Sequence, residues 1–61
     1  MKKLKVQILE AEMFACDNYN IPRPEFVGKA CEKYPTLAET YQFTAAIQAY
    51  DTIQREMKEV A

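Results

Sequence analysis

Sixty-one residues make one domain, and a domain of this size buries only roughly 60% of the surface of its unfolded chain. Its stability is therefore marginal, and small domains usually add disulfides, metals or oligomerisation. The 49% hydrophobic fraction, with one Gly and three Pro, excludes a disordered chain and favours compact helical order. The net charge of −1 divides into a start carrying Lys2, Lys3 and Lys5 and a body with five basic against nine acidic side chains. That excludes a broadly basic nucleic-acid-binding face and leaves only a local contact by the lysine tip.

The first segment supports two readings. Residues 3–8 alternate strictly, with Leu4, Val6 and Ile8 on one side, which is a strand pattern. From Leu9 to Cys16 the residue types favour helix. Read as one helix over 3–19, the segment carries two opposed apolar stripes. One is Leu4, Ile8, Ala11 and Ala15; the other is Val6, Leu9, Met13 and Cys16. A helix apolar on both sides must be sandwiched. Either a central helix runs over 3–19 or a short strand feeds a helix. A lone strand has no partner within this chain, so the second option requires a dimer.

The run Asn18-Tyr19-Asn20-Ile21-Pro22-Arg23-Pro24 breaks the chain. Asn20 can end a helix in the left-handed region, and each proline holds the residue before it extended. Pro24 then suits the first position of a helix over 24–34. Glu25 lies in its first turn and Lys29 and Lys33 later, as the helix dipole prefers. Phe26, Val27, Ala30, Cys31 and Tyr34 recur at helical spacing.

Pro35 makes the second break. Thr36 and Glu39 have the spacing of a capping box, in which each side chain satisfies the other's backbone N–H. Beyond it Phe43, Ala46, Tyr50, Ile53, Met57 and Val60 step by 3, 4, 3, 4 and 3 with no Gly or Pro between them. This predicts a long third helix over 37–60 with a heptad-spaced apolar stripe.

Catalytic chemistry is sparse. The chain has no histidine, the commonest general acid–base and a common metal ligand. Cys16 and Cys31 cannot supply a four-ligand zinc site, and Asp17-Asn18-Tyr19-Asn20 lacks the oxygen ligands of a calcium loop. A single Gly leaves no phosphate-cradling loop. No catalytic, cofactor-binding or metal-binding residue is expected, and no cofactor. Both cysteines are expected to be small core residues, free in a reducing cytosol. The pairs Glu10/Glu12 and Glu56/Glu59 read as solvated helix faces, with Arg55 and Lys58 interleaved in the second. No signal-peptide pattern and no bilayer-spanning apolar run are visible.

The last turns of the third helix outrun two shorter segments, so Tyr50, Ile53, Met57 and Val60 form a candidate interface. Leu37 and Tyr41 would pair one turn apart on the other side. With Tyr19, Tyr34 and the Pro22-Arg23-Pro24 corner they either make a second candidate patch, since aromatics and Arg anchor interfaces, or close the domain's own second face.

Residues 1–34 resemble ribbon–helix–helix repressors and antitoxins. The resemblance rests on Lys3, Lys5 and Gln7 alternating with Leu4, Val6 and Ile8, and on Tyr19-Asn20-Ile21 followed by Arg23, Phe26-Val27 and Ala30. It implies an N-terminal strand paired in a dimer, with Lys3, Lys5 and Gln7 reading the DNA major groove. This chain departs from the family where Pro22 and Pro24 replace backbone N–H donors to phosphate, in its acidic body and in its third helix.

The sequence thus predicts a single all-α domain over 1–61 with three helices, at 3–19, 24–34 and 37–60. It is read as a cytoplasmic, non-enzymatic module that binds another protein and pairs as a homo-oligomer, with no membrane contact. A ribbon–helix–helix-type DNA-binding dimer is the alternative.

Overall fold

The computed structural model describes residues 3–60, with side chains for residues 3–59. Four helices and one tight turn follow in order: α1 (Leu4–Asp17), α2 (Arg23–Lys33), α3 (Pro35–Ala38), a 3₁₀ turn (Tyr41–Phe43) and α4 (Thr44–Val60). The fold is all-α, and the described residues contain no strand. The strand alternative for residues 3–8 is therefore corrected. The N–H groups of Val6 and Gln7 already bond the carbonyl of Lys3, at 3.0 and 3.1 Å. The physical reason is that Leu4, Ile8, Ala11 and Ala15 form a helical stripe with α4 to pack on, whereas a strand has no neighbour.

α1 closes at Asn18, whose side-chain amide donates to the carbonyl of Phe14 at 2.9 Å. α2 starts one residue before Pro24. Pro22 is its N-cap, and its carbonyl accepts from the N–H of Phe26 at 2.9 Å. Glu25 and Lys29 pair one turn apart at 3.8 Å.

The expected third helix is divided. Thr40 takes an extended conformation (φ −113°, ψ 157°), and its hydroxyl donates to the carbonyl of Leu37 at 2.9 Å. The division lets Leu37 and Phe43 share one core, where they are 0% and 7% exposed. On an unbroken helix six residues would set them about 120° apart, on different faces. The capping box is corrected as well. Pro35 occupies the start of α3 with Tyr34 as N-cap, so Thr36 is already inside the helix and Glu39 is its C-cap, with no side-chain cap bond.

The core is one cluster: Ala11 and Ala15 from α1, Phe26 and Ala30 from α2, Tyr34, Leu37 and Phe43 from the middle, Ala46 and Tyr50 from α4. α1 and α4 share the most extensive helix–helix contact. The small side chains of Ala11, Ala15 and Ala46 suit a close approach of backbones. Three rings tie the other helices in. Phe26 of α2 stacks on Phe14 of α1 (centroids 5.7 Å, 25° between planes) and on Tyr50 of α4 (4.5 Å, 16°). Tyr34 meets Phe14 edge-on at 6.3 Å, and the Lys33 ammonium sits 5.0 Å over the Phe14 ring.

Candidate interaction surface

α1 has one stripe too many. Its Leu4, Ile8, Ala11 and Ala15 side chains pack into the core. The opposed stripe faces solvent: Val6 is 42% exposed, Leu9 58% and Met13 66%, with Cys16 exposed beyond them. Their 3, 4, 3 spacing keeps all four on one side of the helix. Single exposed apolar residues are ordinary on a protein surface, whereas a row of large ones on one helix face is a candidate contact surface. At its far end the row meets a groove between α1 and α4, lined by the apolar Cys16, Ala45, Ala49 and Ile53 and by Glu12, Gln48 and Thr52. Cys16 belongs to both features, so the row and the groove adjoin.

The charges along α1 oppose its dipole. The first turn has no acidic residue and the last no basic one. Lys3 and Lys5 are exposed at the start, and Asp17 is exposed at the end. A lone helix prefers the reverse, by roughly 0.3–1 kcal/mol for each well-placed charge.

The residues expected at an interface are scattered. Tyr50 is corrected to a core residue. It is 3% exposed and stacked on Phe26, and its hydroxyl donates to the Ile21 carbonyl and accepts from the Gln54 amide at 3.2 Å. Leu37 is corrected for the same reason, being fully buried. Tyr41 is 84% exposed on the 3₁₀ turn, so the two do not pair. Ile53 is half-buried in the groove and Met57 is 48% exposed. The Val60 side chain lies outside those described.

Tyr19 and Arg23 belong to the corner between α1 and α2, which is fastened to α4. The Gln54 amide donates to the Tyr19 carbonyl. Arg23 Nε lies 3.0 Å from Asp51 Oδ1 and a second guanidinium nitrogen lies 3.3 Å from Oδ2. The hydrogen bond and charge of Asp51 raise the pKa of Arg23 above its ordinary value.

Cys16 is a further correction, since it was expected in the core and is exposed; Cys31 is half-buried. Lys3 and Lys5 are exposed and Gln7 half-buried. Because the segment is helical, alternate residues no longer share a face. Val6, Leu9, Met13 and Cys16 were visible in the sequence as a second stripe. The missing signal was that, among the described residues, no element covers them.

The chain matches no protein-family model, and no curated protein or solved structure matches it. Among the described residues, no helix is long and apolar enough to cross a membrane.

Proposed function

We propose that this chain is a small non-enzymatic interaction module, an adaptor, inhibitor or regulatory subunit of the cytoplasm, that acts by binding another protein. The observation that supports the reading is the outward row of Val6, Leu9, Met13 and Cys16 opposite a complete core. Full burial of a large apolar side chain contributes roughly 1.5–3 kcal/mol, so a partner that covers the row gains a driving force without disturbing the fold. Apolar anchors at helical spacing are the usual currency of helix-in-groove recognition. Met13 adds a flexible, polarizable side chain of the kind used at adaptable contact surfaces.

The test is capture from native lysate by immobilised wild-type chain and by Leu9→Glu and Met13→Glu variants, read by mass spectrometry. Both positions are exposed, so the circular dichroism of the variants should match wild type. A protein held by wild type and lost by both variants supports the reading. Identical capture by all three removes the α1 row as its basis.

A DNA contact by the exposed Lys3 and Lys5 is the second reading. It requires steeply salt-dependent duplex binding that weakens on Lys3→Gln and Lys5→Gln.

A further inference from the structure

We infer that the outward row of α1 closes against α1 of a second copy of this chain, the two helices antiparallel about a two-fold axis midway between Leu9 and Met13. The inference rests on reading that row as a contact surface, and it names the occupant.

Two features select this occupant. The first is register. A 3, 4, 3 row repeats its own pattern when reversed, so a single antiparallel alignment gives every apolar residue an apolar partner. Val6 meets Cys16 of the partner subunit, and Leu9 meets Met13 of the partner subunit. Such closure is isologous, the same patch meeting itself.

The second is charge. Lys3 and Lys5 stand at one end of the row, and Asp17 at the other. Antiparallel copies set the basic end of each helix beside the acidic end of its partner and oppose their dipoles. Parallel copies would stack lysine on lysine and acid on acid. The charges that run against the dipole of a single α1 are thus satisfied by a reversed neighbour.

Two facts hold the pairing weak. Glu10 and Glu12 fall closest to the axis and face their own copies across it. Glu10 and Lys33 line the same surface recess, so a cation is near Glu10 but not Glu12. One row of four residues also covers less than the roughly 800 Å² per partner of a standard stable interface. The pair is therefore reversible, and another protein can displace the second copy.

Directed cross-linking tests this. Val6→Cys, in a Cys31→Ser background, should form a disulfide-linked dimer on mild oxidation, joining position 6 to Cys16 of the partner subunit. Within one helix positions 6 and 16 lie about 15 Å apart along the axis, too far for an internal bridge. The Cys31→Ser chain alone should remain unlinked, because the two Cys16 thiols are equally far apart in this register. Rapid Cys16–Cys16 linkage would show parallel copies and overturn the inference.

Sedimentation equilibrium of wild type decides the case even if the double variant fails to fold. A mass that rises toward dimer with concentration, and stays monomeric for Leu9→Glu, is the expected result. A wild-type monomer at near-millimolar concentration overturns self-pairing. If that monomer still captures a protein through Leu9, the proposed function stands without it. A wild-type chain that forms the reversible dimer and captures nothing does the reverse.

Discussion

The rings of Phe26 and Tyr50 stack at 4.5 Å with 16° between their planes, and this contact joins α2 to α4. Phe26 is fully buried and also stacks on Phe14 of α1, so one side chain touches all three major helices. Phe26→Ala should destabilise the domain by about 3–5 kcal/mol. For a domain of marginal stability that means loss of the cooperative unfolding transition near room temperature. Urea denaturation followed by circular dichroism is the check.

Tyr50→Phe isolates a smaller contribution. The ring stack survives, while the hydrogen bond to the Ile21 carbonyl is lost. The expected cost is about 0.5–1.5 kcal/mol, read as a lower denaturant midpoint with an unchanged slope. An unchanged midpoint would mean that the α1–α2 corner does not depend on this bond. Asp51→Asn should lower the midpoint less than Tyr50→Phe, and its effect should shrink with added salt, because the pair with Arg23 is open to solvent.

Thr36 and Leu37 are neighbours with opposite expectations. Thr36 is exposed inside α3 and caps nothing, so Thr36→Ala should change stability by less than about 0.5 kcal/mol. Leu37 is fully buried, so Leu37→Ala should cost about 2–5 kcal/mol. A large loss for Thr36→Ala would restore the capping box and contradict the start of α3 at Pro35.

The two thiols should also separate. Cys16 is exposed at the end of the apolar row and Cys31 is half-buried. In the folded chain at low concentration a thiol reagent should modify Cys16 much faster than Cys31. Raising the protein concentration should slow Cys16 as α1 pairs, and leave Cys31 unaffected. Equal rates for both thiols would contradict the exposure of α1's outer face.

Much of this architecture was legible in the residues. Pro22, Pro24 and Pro35 marked the breaks, and helical spacing marked the long segments. The break between Ala38 and Tyr41 was not legible, because no Gly or Pro signals it. Thr40 turns extended so that Leu37 and Phe43 can share a core, which is a tertiary demand that local propensity does not record. The two stripes of α1 were visible, but not which of them faces inward. The row with the larger side chains, Leu9 and Met13, stays outside, while Ala11 and Ala15 pack in the core the chain builds with α4. Tyr50 misled for a related reason. Its place on the α4 stripe was evident, whereas the Phe26 ring that covers it comes from a distant segment.

The most direct measurement is a dilution series of backbone amide spectra, which shows both whether the chain associates and where. Concentration-dependent shifts should concentrate at Val6, Leu9, Met13 and Cys16, fade in Leu9→Glu, and leave Tyr50 and Leu37 unmoved. Shifts centred on Met57 and Ile53 with α1 silent would contradict the account, and so would a spectrum that is constant to near-millimolar concentration.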